Sequence, residues 1–247
     1  MMGGVSIVMP AYNEGAIISR TIKDCYEDVI SRFDSGGEII VVDDCSTDQT
    51  WQVLDNLKKG LGCRLKLIRN QKNLGHGPSL LRGLLLAGNE FVFALDSDYQ
   101  LVPGEFWKLF QQLGKHQIVT GLRTRRNDPP YRLLLSKAAN LTVAHLFGCD
   151  LDDMNIPFKL FRRPCLMAIL PHVPKDFSVP SILIMAIAFK MGFSVKQLPV
   201  THLPRKTGRC SLPGKRLILF SLQAFYELFT YRLGPWRKIK PAGQQNG

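Results

Sequence analysis

Long apolar runs are scarce in this sequence of 247 residues. The two most apolar stretches, Ile182 to Phe189 and Leu217 to Tyr231, measure 8 and 15 residues. As a helix the longer one reaches roughly 22 Å against a hydrocarbon core of about 30 Å, and it contains Gln223 and Glu227. Neither is expected to cross a membrane. A positively charged leader followed by an apolar core is missing between Met1 and Ala11, so no secretory signal is expected. The 6 cysteines (Cys25, Cys45, Cys63, Cys149, Cys165 and Cys210) include no C-x-x-C pair, and none has a histidine at zinc-finger spacing. That excludes the common zinc modules, and reduced thiols are the simplest reading at this chain length. The 21 glycines and 15 prolines follow no period, which excludes collagen-like and linker-dominated architectures. Internal repeats are absent as well.

What the chain does have is a core and an uneven charge. It is 45% hydrophobic and 21% charged, the opposite of a disordered composition, and long enough for one large domain. Its net charge of +12 comes from 32 basic and 20 acidic residues. Residues 1–100 hold 10 basic and 13 acidic side chains, whereas residues 101–247 hold 22 and 7. The second part therefore calls for an anionic partner: nucleic acid, phospholipid or a phosphorylated substrate. Nucleic acid fits poorly, because the aromatic residues are not interleaved with Arg and Lys and no helix-turn-helix or RNP-like pattern occurs.

Strands and helices alternate over the first 100 residues. Val5–Met9, Glu38–Val42, Leu65–Arg69 and Phe91–Leu95 read as short, largely apolar strands. Helical periodicity falls at Glu14 to Ile30, at about Gln49 to Lys59 behind the capping residues Ser46, Thr47 and Asp48, and at Ser79 to Ala87. The expectation is an α/β fold, with a mostly parallel central sheet flanked by helices. Beyond it, Ile118–Thr120 and Val195–Val200 read as strands, and Arg132 to Phe147 and Phe177 to Lys190 as helices. Residues 213–240 form a basic amphipathic segment flanked by Lys215, Arg216, Arg232, Arg237, Lys238 and Lys240. Its aromatic stripe, Phe220, Phe225, Tyr226 and Phe229, suits either packing or a membrane interface. Pro241 to Gly247 reads as a disordered tail.

In open parallel sheets, ligands bind beyond the carboxyl ends of the strands. Three polar clusters fall there: Pro10-Ala-Tyr12-Asn-Glu14, Asp43-Asp44, and Asp96-Ser97-Asp98-Tyr99-Gln100. Tyr12 offers a face for stacking a base, and a carboxylate after the second strand can accept from ribose or base. Asp43, Asp44 and Asp48 serve equally well as caps of the next helix. If residues 96–100 stay extended, Asp96, Asp98 and Gln100 share a face and offer oxygens to one hard cation. Such a sparse oxygen set suits Mg2+ or Mn2+ completed by water and a nucleoside diphosphate. His76, in a Gly-Pro turn, reads as structural, and His145, between Ala144 and Leu146 on a helix, reads as core.

Four motifs in order, Pro10 to Glu14, Val41-Val-Asp-Asp-Cys-Ser-Thr-Asp48, Asn73-Leu-Gly-His-Gly77 and Asp96 to Gln100, resemble those of family 2 glycosyltransferases with the GT-A (Rossmann-like) fold. Gly121-Leu-Arg123, Asp153 to Arg162 and His202-Leu-Pro-Arg205-Lys-Thr-Gly208 resemble the dolichyl- or polyprenyl-phosphate branch, of which dolichyl-phosphate mannosyltransferases are members. The resemblance implies a catalytic domain over residues 1–212. It implies that Pro10, Tyr12, Glu14, Val42 and Asp44 hold the nucleotide, and that Asp96, Ser97 and Asp98 hold its diphosphate side. Asp96, Asp98 and Gln100 would carry the metal, and Arg123 and Arg205 would pair with phosphates. Arg132 and Ser136 would line the acceptor site.

The implied reaction is inverting transfer of a hexose, mannose or glucose, from GDP-mannose or UDP-glucose to polyprenyl phosphate. Its expected setting is peripheral, at the cytosolic membrane face, with a membrane-embedded partner subunit left open. The leaving diphosphate needs a cation and Arg donors. A phosphate monoester is already ionised near neutral pH and needs no general base, but its charge must be offset by residues such as Arg123, Arg125, Arg126, Arg132 and Arg205. A sugar hydroxyl acceptor would need a base, and Asp153 is the nearest candidate; an ion pair with a neighbouring Arg is its alternative role. A Q-x-x-R-W element, the mark of polymer-forming members, is missing.

Overall fold

A computed structural model describes residues 3–34, 36–123, 130–149, 151–204 and 214–242. The strands are β1 (Val5–Ala11), β2 (Gly37–Asp43), β3 (Leu65–Arg69), β4 (Phe91–Leu95), β5 (Ile118–Arg123), β6 (Phe158–Arg162) and β7 (Val195–Val200). They form one sheet in the order β3-β2-β1-β4-β6-β5-β7. Every neighbouring pair is parallel except those made by β6, which runs antiparallel to β4 and β5. The helices are α1 (Ile18–Asp28), α2 (Thr50–Leu61), α3 (His76–Leu85), α4 (Phe106–Phe110), α5 (Pro130–Phe147), α6 (Arg163–Ile169), α7 (Pro180–Lys190) and α8 (Gly214–Leu233).

The pleat sorts the apolar residues into two cores. Ile7, Met9, Ile39, Val41 and Phe93 face a core built with α1 and α4, where Phe33, Phe106 and Phe110 pack edge to face or stacked. Val8, Ile40, Val92 and Ala94 face the other core, shared with α3, α6, α7 and the inner residues of α8. Helix α3 lies close on the sheet because Gly83 has no side chain. A Cβ there would come within 2.5 Å of Val8 Cγ1. Helix α7 is buried around nearly its whole circumference, which explains why Ile182-Leu183-Ile184 is uninterrupted by polar residues.

The expected elements are present; α4 and α6 are additional, α3 starts at His76 rather than Ser79, and three further differences have a physical reason. Helix α1 starts at Ile18 rather than near Glu14, because Ile17, at φ −126°, lies outside helical geometry and Glu14 to Ile17 form a turn. Strand β6 was not anticipated as a strand; Lys159 interrupts its apolar pattern. His145 is exposed rather than core, since α5 turns Val143 and Phe147 inward instead. At the other end of the chain, Ala242 N–H donates to Met191 O at 2.9 Å, so the described start of the expected tail is tied down. Among the described residues no helix is long and apolar enough to cross a membrane.

Candidate active site

Two adjoining cavities open at the carboxyl edge of β1, β2 and β4. The larger, about 520 Å3, is lined by Pro10, Tyr12, Glu14, Asp44, Ser97 and the Leu74–Pro78 turn, among others. The smaller, about 310 Å3, is lined by Gln100, Arg123, Asn155, Pro157, Ser181 and His202, among others. His76, Asp96, Asp98, Ser178 and Phe220 line both. The acidic pair thus stands at the junction of the two spaces.

Side-chain bonds fix the loops around this edge. Asn13 Oδ1 accepts from Thr47 N–H at 2.8 Å, and Asn13 N–H donates to Ser46 Oγ at 3.0 Å, so the turns after β1 and β2 hold one another. Asp48 accepts from Thr50 N–H at 2.9 Å and Gly15 N–H at 3.1 Å. Burial works to raise the pKa of Asp48, and these hydrogen bonds outweigh it, so its carboxyl titrates below the usual range. Asp44 is buried, and its oxygens accept from Asn70 Nδ2 (2.7 Å), Leu74 N–H and Gly75 N–H (both 2.8 Å). It shapes the wall of the larger cavity by organising the loop that leads into α3. Gly77 completes that wall: a Cβ would meet Phe177 O at 2.4 Å.

Of the residues expected to hold a nucleotide, Pro10, Tyr12, Glu14 and Asp44 line the larger cavity. Val42 does not. Its side chain is buried in the core beneath α3, within 3.2 Å of a Cβ placed on Gly83. Ser97 reaches the cavity, but its Oγ donates to Pro10 O at 2.9 Å, tying β4 to β1.

Asp96, Asp98 and Gln100 all line the smaller cavity, although not by the extended chain anticipated. Tyr99 adopts a left-handed backbone (φ 58°), and Gln100 N–H donates to Asp98 Oδ1 at 3.1 Å, so the segment folds into a turn. No group of three or more His, Cys, Asp or Glu side chains among the described residues makes a self-sufficient metal cluster. Two carboxylates beside an amide oxygen fit a hard cation that keeps waters and takes further oxygens from a diphosphate. This donor set fits Mg2+ or Mn2+ and is unsuited to a structural zinc site.

His76, expected to be structural, stands at the same junction, with Nε2 2.9 Å from Asp96 Oδ1. Desolvation works against protonation of its ring, but the carboxylates of Asp96, Asp98 and Asp44 outweigh it and raise its pKa. Its signal in the sequence was its place in the Asn73–Gly77 motif.

Arg123 ends β5 and forms a two-point pair with Asp153: Nε to Oδ2 at 2.7 Å and Nη2 to Oδ1 at 2.8 Å. Both side chains are largely buried, at 13% and 4% exposure. Arg123 reaches the smaller cavity, whereas Asp153 lines neither. Behind this wall Lys159 is fully buried on β6, with Nζ donating to Ile156 O and to Ser181 Oγ (2.7 Å). Burial lowers its pKa to about 7, partly offset by Asp153. Arg205 lies outside the described residues, as do Arg125, Arg126 and Lys206; Arg132 and Ser136 fall on α5, with side chains outside the description.

Helix α8 also contributes to the cavities. Phe220 and Gln223 line them, and Glu227 accepts from Ser178 N–H at 2.8 Å and Ser178 Oγ at 2.7 Å. Its opposite face leaves Leu219, Leu222, Tyr226, Phe229 and Leu233 exposed.

A glycosyl transferase family 2 model matches residues 6–173, which span β1 to β6 and every motif at the sheet edge. The chain belongs to that family. Similar to this family 2 chain is the undecaprenyl-phosphate 4-deoxy-4-formamido-L-arabinose transferase of Pseudomonas paraeruginosa (strain DSM 24068 / PA7). It is 26% identical over 215 residues, covering 87% of this chain and 62% of the relative. The protein of that name from Pseudomonas aeruginosa (strain LESB58) is 26% identical over 219 residues, with the same coverage. The chain therefore spans less than two thirds of the length of these relatives. Among solved structures, glucosyl-3-phosphoglycerate synthase from Mycobacterium tuberculosis, in complex with Mn2+, UDP and phosphoglyceric acid, superposes with a TM-score of 0.66. Identity is 22%, over 93% of this chain and 78% of that one. S. aureus TarS 1–349 in complex with UDP gives a TM-score of 0.60 at 18% identity, over 94% and 65%. The family 2 chain thus has a GT-A-like fold.

Proposed function

We propose that this protein transfers a sugar from a nucleoside diphosphate sugar to polyprenyl phosphate at a membrane surface. The larger cavity takes the nucleotide, with Tyr12 against the base and Glu14 and Asp44 on its polar edge. The smaller takes the sugar and the acceptor phosphate. Asp96, Asp98 and Gln100 stand between them and would hold Mg2+ or Mn2+. The ion would draw charge off the leaving diphosphate. Complexes of glucosyl-3-phosphoglycerate synthase with Mn2+ and UDP support such a cation here.

The observation that carries the choice of acceptor is the Arg123–Asp153 pair. A hydroxyl acceptor requires a base on the cavity wall, yet Asp153 lines neither cavity and both its oxygens face Arg123. A phosphate monoester brings its own negative charge, for which Arg123 is suited. The relatives named for undecaprenyl phosphate support the same choice. Arg205, Arg132 and Ser136 complete the acceptor side in this reading. The exposed apolar stripe of α8, next to the basic Arg237, Lys238 and Lys240, rests on the membrane, so this part of the enzyme sits at the membrane surface.

The sugar is a hexose of the mannose or glucose type in this reading. The test is a panel of labelled GDP-mannose, UDP-glucose and a UDP-4-formamido-arabinose donor, offered with polyprenyl phosphate or a free glycan, with and without Mn2+. Product in the organic phase that requires Mn2+ is expected. Transfer to the glycan alone would overturn the acceptor, and formamido-arabinose as the sole sugar moved would overturn the hexose.

A further inference from the structure

The turn that brings Asp96, Asp98 and Gln100 to one wall is built on an unusual residue. Left-handed backbone normally falls to glycine or asparagine, because a Cβ crowds the following carbonyl. Here it falls to Tyr99, at φ 58°, between two of the three candidate metal ligands. An aromatic side chain has no conformational preference for that geometry, so something outside the turn has to hold it.

Helix α1 does so. The Tyr99 hydroxyl donates to Asp24 Oδ2, and the Arg20 guanidinium stands 4.3 Å from the centroid of the Tyr99 ring. Arg20 Nε lies 3.8 Å from Asp24 Oδ2, so ring, carboxylate and guanidinium form one cluster. From the same face of α1, Thr21 Oγ1 donates to Ser97 O at 2.9 Å. On the far side, Leu203 N–H donates to Gln100 O at 2.8 Å, next to the bridge between Leu101 and His202. The ligand turn is thus held from both flanks, while Asp96 and Asp98 remain on the cavity walls.

We infer that Tyr99 is a positioning residue for the cation: gripped by Asp24 and Arg20, it holds the turn that aims Asp98 and Gln100 at the space beside Asp96. Without the grip the segment relaxes toward ordinary backbone conformations, in which the two side chains separate. Tyr99 itself touches no ligand in this scheme. The inference rests on the reading that Asp96 and Asp98 hold a divalent cation together with the donor diphosphate.

The experiment measures Mn2+ binding to the full chain by electron paramagnetic resonance of free aqueous Mn2+, with UDP present. Outer-shell partners of metal ligands typically alter affinity 10–100-fold. Tyr99→Phe and Asp24→Asn are each expected to raise the Mn2+ Kd about tenfold, at the lower end of that range. Because both remove one tether, the double variant should resemble either single one rather than their sum. Transfer by Tyr99→Phe should recover its kcat when Mn2+ is raised, which a damaged fold would not do. Asp24→Asn leaves the tyrosine in place and serves should Tyr99→Phe fail to fold. Wild-type Mn2+ affinity in both variants, with only a lower melting temperature, would reduce Tyr99 to packing and overturn the inference. Failure of the wild type to bind Mn2+ with UDP would overturn the cation reading itself, and this inference with it.

Discussion

Replacing Asp153 by Asn separates two accounts of the acceptor side. The two-point pair with Arg123 spans 2.7 and 2.8 Å and is almost sealed from water. Truncating one partner of a buried pair usually costs roughly 3–5 kcal/mol, because the remaining charge is left uncompensated. Asparagine keeps the shape and one accepting oxygen, so about half of that is expected, about 2 kcal/mol. For a chain of this size, that lowers the melting temperature by roughly 4–8 °C. If Asp153 serves to hold Arg123, transfer should fall about tenfold, mostly as a higher KM for the acceptor. Arg123→Met should be at least as damaging, and Asp153→Asn should add little on top of it. A general base behaves otherwise: its loss costs roughly 100- to 10,000-fold in kcat and removes the acid limb of the pH–rate profile. Urea unfolding and transfer rates between pH 5.5 and 9 decide the matter. A thousandfold loss of kcat in Asp153→Asn, with stability and acceptor KM unchanged, would refute the positioning account.

Three further outcomes follow from the geometry. Lys159 titrates near 7 when folded and near 10.5 when unfolded, so between those values the unfolded chain binds more protons and stability rises with pH. Wild type should therefore gain about 2 kcal/mol over Lys159→Met between pH 7 and pH 9, read from parallel urea titrations; a constant difference would mean that Lys159 is not desolvated. Asp98→Ala should lose at least about 100-fold in kcat while melting within about 4 °C of wild type, and full activity in that variant would remove the cation from the scheme. Glu227→Ala frees two bonds to Ser178, so α8 should become susceptible to limited proteolysis, with about 1–2 kcal/mol lost and a raised KM for the acceptor; unchanged proteolysis would detach α8 from the site.

Strands β1, β2 and β4 were legible because inner parallel strands are largely apolar on both faces and end abruptly in polar turns, and the edge strand β3 was legible from its remaining Leu and Ile residues. Their carboxyl ends, and hence the location of Tyr12, Glu14, Asp96 and Asp98, followed from alternation alone. Strand β6 escaped notice for a physical reason. Lys159 breaks its hydrophobic run, and only the structure supplies the partners, Ile156 O and Ser181 Oγ, that let a lysine lie in the middle of a sheet. The start of α1 lies a turn later than periodicity predicts because Ile17 leaves helical geometry, while Thr50 and Asp48, more than 30 residues away, accept from the N–H groups of Glu14 and Gly15 and fix the preceding turn. Val42 shares a motif with Asp44 but stands within β2, packed beneath α3 beside Gly83, whereas Asp44 follows the strand's end and reaches the cavity. Helix α8 carried two patterns at once. Ala224, Leu228 and Tyr231 pack inward, while Leu222, Tyr226 and Phe229 remain outside, and hydrophobic periodicity alone cannot say which face meets the protein.

The deepest part of the site was hidden from the sequence for a single reason, which concerns strain. Asn13, Cys45 and Tyr99, with φ of 55°, 61° and 58°, are the non-glycine residues with left-handed backbone among those described, and each follows one of the strands β1, β2 and β4. Such conformations cost roughly 1–2 kcal/mol for ordinary residues, so local propensity argues against Cys45 and Tyr99, whereas asparagine tolerates the position of Asn13. Each is offset by contacts from distant parts of the chain. Asn13 is held by Ser46, Thr47 and Asp48, Cys45 lies with Sγ 3.8 Å from Gln71 O, and Tyr99 is anchored to Asp24. Glycine would satisfy the backbone at these positions but would make no such bonds, leaving the loops free to wander. A side chain held in a strained turn by remote partners gives a loop one geometry, which a site that must align a nucleotide, a cation and an acceptor requires. Motif spacing located the edge of the sheet, and the tertiary contacts that make its loops rigid determine how well it can work.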